Sequence, residues 1–587
     1  MSDIFQDFTE YDMYPGKIKQ YVQRHTDYER KTTMKKRVLA SLLTAALLIG
    51  SFVGCGPSGD SSSTASPGGE SSGSGEEASY VNKTGYPIVN EPITLRFMAP
   101  RSASYANGYE DMQMFKDYET ETGIDVQWDE VAEEGWAERI KLTLASGSNL
   151  PDAIYGGSIS SSDVFKYGQQ GIIVPLDDLI ENYTTNAKKY LGEREDIRKI
   201  ITYTDGHIYS LPSIDESLST RIPGMMIVNQ TWLDRVNLEH PTTVDEFYNM
   251  LKTFKEKDAN GNGVAGDEVC LSVRQFSSPN TIDANKSLTN LFGFFGVVDD
   301  NSHIMIKDDK EVIFVPTSDE YREALEFFHK LYEEGLMDPE SFTQNDSQFW
   351  SKTRSDEGVG FTTAFSWLEL NNGNVDQNEY VIMDPLKDQV VCQPVIVAGL
   401  ATNRFTITSS NKYPEATIRW IDTFLDNGER ALESRFGKEG ETWQWLDDDK
   451  SKFTEMAESP DGNTVDTAYI SQFGPAYLSV QWELQDLWAK KQNTIQQFID
   501  RADKCNNVYI KQAVHTWPGL GFDEDTNKDF SNIDTDLRKY TDNMLSTFIM
   551  DGVDDASWNS YVERCKALRC DELVEIYQKR WDSYINS

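Results

Sequence analysis

TGIDVQWDEVAEEGWAERIKLTLASGSNLPDAIYGG, residues 122–157, is the stretch on which the fold turns. Ile124, Val126 and Trp128 alternate with Asp125 and Gln127, the two-residue period of a half-buried strand. Gly123 before them is the residue a preceding helix would end on. Trp136 to Ala145 reads as helix. Pro151-Asp152-Ala153-Ile154-Tyr155 reads as a strand ending in Gly156-Gly157. Upstream, Ile93, Leu95 and Phe97 in EPITLRF alternate with polar neighbours, and Tyr109 to Thr122 is helical. Strands separated by helices imply a parallel α/β layer.

The chain has 587 residues, more than one hydrophobic core accommodates, so two or three domains are expected. A hydrophobic content of 39% with 12% aromatics supports large globular cores. The formal charge of −41 argues against nucleic acid and against an electrostatic hold on anionic lipid. Six cysteines do not make a disulfide framework at this length; Cys565 and Cys570 are near enough in sequence to pair if their geometry permits.

Residues 34–55, MKKRVLASLLTAALLIGSFVGC, carry a basic start, an apolar run and a small residue before Cys55. This is the layout of a secretory signal. Phe52-Val53-Gly54-Cys55 resembles the lipobox of bacterial lipoproteins, which implies cleavage before Cys55 and diacylation of that cysteine, with Phe52 where the pattern prefers Leu. Residues 56–89 begin as a Gly, Ser and acid tract, a flexible linker by composition. Residues 1–33 precede a complete signal and are expected to be an extension from a mis-called start, with a short cytoplasmic domain the alternative.

The ordered series TGIDVQW, LASGSNLPDAIY, GIIVPLDDLI, DGHIYSLP, GMMIVNQTWLDRV, PTTVDEFYNMLKTFKEKDANGNG, NKYPEATIRWIDTFL and GKEGETWQW resembles the family 1 extracellular solute-binding proteins, as does the closing FIMDGVDDASWNSYVERCKALRCDELVEIYQKRWDSY. These are receptors of bacterial ABC importers for oligosaccharides. The resemblance implies an α/β fold of two lobes, the type II arrangement of periplasmic binding proteins, with a hinge and a ligand cleft between them. By that analogy lobe one is 90–222 with 385–430, and lobe two is 223–384 with 431–587.

Several segments make physical sense unaided. Thr243 and Glu246 fit a helix capping box, with Val244, Phe247, Leu251 and Phe254 on one face. Thr317 and Glu320 repeat the device ahead of Tyr321, Leu325, Phe328 and Tyr332. These stripes are core.

Asp258-Ala259-Asn260-Gly261-Asn262-Gly263-Val264 places oxygen side chains at alternate positions around a turn, the requirement of a hard cation such as Ca²⁺. Expected ligands are Asp258, Asn260 and Asn262, then Asp267 and Glu268, with Val264 through its carbonyl. Gly266 interrupts the spacing seen in relatives, and a plain Asn-Gly turn would give the same sequence. Sugar recognition needs aromatic faces and planar polar groups. Ligands of open α/β sheets lie beyond the carboxyl ends of the strands. That directs attention to Tyr105, Asp152, Tyr155, Gly156, Asp205, Tyr209 and Trp367, and the resemblance adds Trp443 and Trp445.

The expected function is a monomeric, lipid-anchored receptor on the outer face of the cell membrane. It captures an oligosaccharide by hinge closure and delivers it to ABC permease subunits, with no catalytic role. A ligand sensor coupled to a membrane signalling protein is the alternative. A secreted glycoside hydrolase is a further one, although the six histidines show no metal or triad grouping.

Overall fold

The computed structural model describes residues 80–586 apart from short segments at 158, 217–221, 223, 279–280, 283–287, 366–369, 371–378, 394–399, 426–428, 476–481, 484–491 and 494–495. Cys55, the signal and linker tracts, and Trp367 lie outside the described residues. The described chain belongs to one compact unit, Glu77–Ser587.

The quoted stretch folds as its period predicts. Strand β1 (Ile93–Arg101) is followed by helix α1 (Gln113–Thr122), β2 (Ile124–Ala132), α2 (Glu133–Ser146) and β3 (Ala153–Tyr155). Gly123 ends α1 in the left-handed region at φ 75°. Both strands run several residues past the expected limits, because β1 and β2 pair in parallel without a break from Ile93↔Ile124 to Arg101↔Ala132. β3 pairs with the other edge of β1, also in parallel.

The sheet is completed from distant sequence. β4 (Leu211–Asp215), β11 (Ala401–Ile407) and β14 (Trp482–Glu483) extend it to the order β14-β4-β11-β3-β1-β2. β11 is antiparallel to both β3 and β4. Thus a strand formed after the chain has built a second body returns to the middle of the first. One face of the sheet carries α1 and α7 (Pro414–Asp422) over an aromatic core that includes Phe97, Phe115, Trp128, Tyr155 and Trp420. The other face carries α2 and α3 (Ser161–Gln169).

The second lobe is built on β5 (Met225–Asn229), which lies between the antiparallel β8 (Phe361–Ala364) and β9 (Tyr380–Ile382). A second sheet runs β10 (Val391–Gln393), β16 (Ala513–Thr516), β6 (Ile304–Lys307), β7 (Glu311–Phe314). Around them pack α5 (Val244–Glu256), α6 (Asp319–Glu333), α9 (Glu524–Asp551), α10 (Asp555–Ala567) and α11 (Cys570–Ile585). The α5 stripe is core, with Phe247, Leu251 and Phe254 buried, and Thr243 caps the helix by accepting from the Glu246 amide at 3.2 Å. The Thr317 cap is corrected: α6 begins one residue later, Ser318 accepts from the Tyr321 amide, and the Thr317 hydroxyl donates back to Phe314. Cys565 and Cys570 remain separate buried thiols.

The chain passes between the lobes three times, between Asp215 and Met225, between Gln393 and Ala401, and between Asn493 and Gln496. Arg501, on α8 (Gln496–Asn507), braces the segments next to β5 and β8 by donating to the carbonyls of Phe365 and, at 2.8 Å, Ile222. Residues 429–483 associate with the first lobe. The Gln113 and Met114 amides bond the carbonyls of Gln472 and Phe473, Arg430 pairs with Glu121, and β14 joins β4. Within that segment β12 (Trp443–Trp445) and β13 (Lys452–Glu455) pair antiparallel, and β15 (Gln492–Asn493) adds to β13. No helix among the described residues is long and apolar enough to cross a membrane.

Candidate functional site between the lobes

In the order β2-β1-β3 the chain leaves β1 toward one face of the sheet and enters α3 after β3 on the other. A crevice opens where connections diverge in this way, and open α/β sheets bind ligands there. The loops that border it are 102–112 and 156–160.

The turn after β3 is tightly specified. Gly156 and Gly157 both have positive φ, and a Cβ on Gly157 would lie 2.4 Å from the Trp136 ring. The Gly156 amide donates to the Arg404 carbonyl at 2.8 Å, fixing the turn to β11. Tyr155 itself is enclosed in the aromatic core, with burial holding its phenol protonated well above the ordinary range. Tyr105 is buried too; its hydroxyl donates to the Pro475 carbonyl at 2.5 Å, tying the loop after β1 to the 467–475 segment. Asp152 stands at the opposite, amino end of β3. There its carboxylate accepts the Arg96 amide at 2.7 Å, a brace between strands.

Asp205 and Tyr209 form a pair, the phenol donating to the carboxylate at 2.9 Å. Burial and then this bond push Tyr209 up to about 12. Trp443 is buried with its indole N–H on the Gly437 carbonyl at 2.8 Å, and it packs edge-on against Trp445, which is half-buried. Of the aromatic candidates described, Trp445 alone keeps part of its surface open; Tyr105, Tyr155, Tyr209 and Trp443 are core-facing because each ring is large enough to fill a gap between packed elements.

A narrow cavity of about 300 Å³, counted out to its mouth, lies between the lobes near the same crevice. Ser161 at the start of α3, Tyr203, Thr402 and Asn403 line it from the first lobe, and Gly521 and Arg580 from the second. Tyr203 donates to Asn403 Oδ1 at 2.9 Å, and Asn403 Nδ2 donates to Ser161 Oγ at 3.0 Å. Asn403 reaches both because it sits in the left-handed region, φ 59°, where the β11–β4 register slips. Arg580 Nε donates to the Gly521 carbonyl at 2.7 Å. A Cβ on Gly521 would approach Ser161 Cβ to 3.2 Å, so glycine lets the lobes meet here. None of these residues carries a sequence signature; only the positive φ of Asn403, a residue type tolerant of it, left any trace.

The 258–268 loop is closed on itself. Gly263 donates to Asp258, and Asn260 and Asn262 both turn their amide nitrogens onto Asp267, at 3.0 and 2.9 Å. The Asn262 amide holds Asp267 below the usual carboxylate range. Glu268 accepts the amides of Ala259 and Gly266, and the Val264 side chain is exposed. The donor chemistry, three carboxylates and two amides in one loop, suits a hard cation. In this arrangement no three acidic side chains converge to metal-holding distance among the described residues.

Residues 102–431, more than half of the chain, match the family model described as bacterial extracellular solute-binding protein. The chain is 28% identical over 513 residues to the fructooligosaccharide ABC transporter substrate-binding protein FusA of Streptococcus pneumoniae serotype 4, covering 84% of this chain and 91% of FusA. The FusA EF-hand mutant structure with fructo-nystose superposes with a TM-score of 0.71 at 25% identity, covering 84% of this chain and all of that one. A milk-oligosaccharide (HMO) binding solute-binding protein from Bifidobacterium longum infantis gives 0.72 at 20% identity, covering 84% and 99%. The polygalacturonan/rhamnogalacturonan-binding protein YtcQ of Bacillus subtilis is 28% identical over 318 residues, 52% of this chain and 57% of YtcQ. With this topology and these matches, the chain belongs to the bacterial extracellular solute-binding proteins.

Proposed function

We propose that this protein is the oligosaccharide-capturing receptor of an ABC importer, working by closure of its two lobes. The observation that carries the reading is the crevice at the β1/β3 divergence, with polar groups of both lobes gathered on a common interlobe cavity. Contacts made simultaneously to both lobes exist only when they are together, so ligand shifts the population toward the closed form. That form presents a surface for permease subunits in the membrane. FusA and YtcQ are named as binding proteins, which favours this reading over a glycosidase.

The lobes are proposed as 90–222 with 385–430, and 223–384 with 431–587, amended in two places. Residues 429–483 move with lobe one through β14 and the Gln472 and Phe473 bonds, and 391–393 with lobe two through β10. Lipid on Cys55 is the proposed anchor at the outer membrane face. Tyr105, Gly156, Asp205, Tyr209 and Trp445 are proposed at or beneath the ligand crevice, with Asp152, Tyr155 and Trp443 holding its walls from behind and Trp367 a further candidate. Asp258, Asn260, Asn262, Asp267 and Glu268, with the Val264 carbonyl, would hold Ca²⁺ as a structural ion, the EF-hand named for FusA giving the precedent. The working unit is proposed to be a monomer.

The test is calorimetric titration with a panel of fructo-, milk-type and galacturonate oligosaccharides, followed by chromatography of the sugar. Saturable binding with the sugar recovered intact supports the receptor; conversion to shorter products would overturn it. A ligand bound only by the native state also raises the melting temperature by mass action.

A further inference from the structure

The polar groups that face the interlobe cavity are unequal in kind. Tyr203 donates to Asn403 and Asn403 Nδ2 donates to Ser161 Oγ, while the Ser161 hydroxyl is in turn in hydrogen-bond contact with the Tyr203 phenol, a closed set that presents hydroxyls to the cavity. Thr402 adds a second hydroxyl to the wall. Across from them, Arg580 lines the cavity with its Nε bonded to the Gly521 carbonyl. Hydroxyls therefore line the site, and among the described residues around it the only full charge is positive.

Among the described residues that charge has no acidic partner. Burial lowers the Arg580 pKa, and the one group acting the other way is the phenol of Tyr584, not a carboxylate. One residue along β11 from Asn403, Arg404 repeats the situation: its Nε is buried without an acceptor, and burial is the sole influence on its pKa. In a chain of net charge −41, a partly desolvated guanidinium on an interlobe cavity with no carboxylate beside it among the described residues is out of keeping with the rest of the surface. A buried cation left uncompensated is costly, and lobe closure over a neutral ligand would remove water from it without replacement. A carboxylate would supply the missing charge and match the planar fork with two parallel hydrogen bonds. The enclosed part of the cavity is only about water-sized, so a carboxylate oxygen would sit there in place of a water while the sugar ring stays at the mouth.

We infer that the interlobe cavity is the subsite for an acidic sugar unit, whose carboxylate is held by Arg580 and by the Ser161 and Thr402 hydroxyls. The inference rests on the receptor reading and narrows it to acidic oligosaccharides. Because one lobe supplies the cation and the other the hydroxyls, the same carboxylate bridges the lobes and favours their closure. Two sources of the group differ in where it is attached, at C5 in a uronic acid and at the anomeric carbon in a sialic acid.

The experiment is calorimetric titration of the full chain with trigalacturonate, its methyl ester, sialyllactose and the neutral trisaccharide kestose. Trigalacturonate or sialyllactose should bind about 10- to 100-fold tighter than the neutral sugars, the scale of a hydrogen-bonded charge pair. The ester comparison needs no variant; it removes the charge and adds one methyl group, and R580M separates the two effects. R580M should abolish the preference for acid over ester while leaving the far-ultraviolet spectrum and melting cooperativity intact, and R580K should restore part of it. Equal affinity for acid and ester, or an unchanged ratio in R580M, would overturn the acidic subsite while the receptor stands. Failure of every oligosaccharide to bind would overturn both.

Discussion

His303 should make the second lobe lose stability as the medium turns alkaline. The imidazole is buried between two carboxylates, with Nδ1 2.9 Å from Asp299 Oδ1 and Nε2 3.6 Å from Asp542 Oδ1. Burial alone would lower its pKa, but the charge and hydrogen bond of Asp299, followed by those of Asp542, overcome it and push the group up to about 10 from 6.5. A folded value above the unfolded one means the contribution is complete below pH 6.5 and disappears as pH rises through 10. Burial also pushes the Asp299 carboxyl up, which offsets part of the imidazole's gain, and breaking a buried ion pair costs about 3–5 kcal/mol. Asp299→Asn removes the principal charge and keeps the shape. Urea unfolding of wild type and variant between pH 6 and 10 should show the variant about 3 kcal/mol less stable at pH 6, with the gap closing toward pH 10. A variant within about 1 kcal/mol of wild type at pH 6, or a gap independent of pH, would refute the ionised pair.

Gly157→Ala should destabilise the first lobe by about 2–4 kcal/mol, since the new methyl meets the Trp136 ring and the backbone has φ 49°; the shift in urea midpoint measures it. Arg501→Met removes the bonds to Ile222 and Phe365 and the guanidinium lying 3.9 Å over the Phe365 ring. It should lower stability by about 2–4 kcal/mol and weaken ligand binding together, read by melting temperature and calorimetry on the same preparation. Calcium should raise the melting temperature of wild type, EDTA should reverse that, and Asp258→Ala should respond to neither; equal calcium responses in the two proteins would demote the loop to a turn.

Local order was legible wherever it depends on neighbours in sequence. The alternation in TGIDVQW and EPITLRF marked β1 and β2, Gly123 marked the end of α1, and the Thr243 cap with the Phe247, Leu251, Phe254 stripe marked α5. The α6 cap was misplaced by one residue because Thr317 and Ser318 are both competent caps, and the short helical turn Val315–Thr317 leaves only Ser318 free to accept from the helix. Aromatic residues were recognisable as site candidates by type but not by direction. Tyr155 and Trp443 carry the same chemistry as a sugar-stacking ring and are used instead to fill core.

The sequence by itself determined the alternating α/β layer, the helices with strong caps and the family resemblance, because periodicity and capping act over a few residues. The tertiary structure alone decided that β11 returns between β3 and β4, that β14 and the 472–473 carbonyls join the first lobe, and that Arg580 lines one cavity with Ser161 and Asn403. Those contacts join elements from distant parts of the chain, and their energy comes from burial and charge compensation at close range. No local pattern encodes such a meeting; it exists only once both cores have packed.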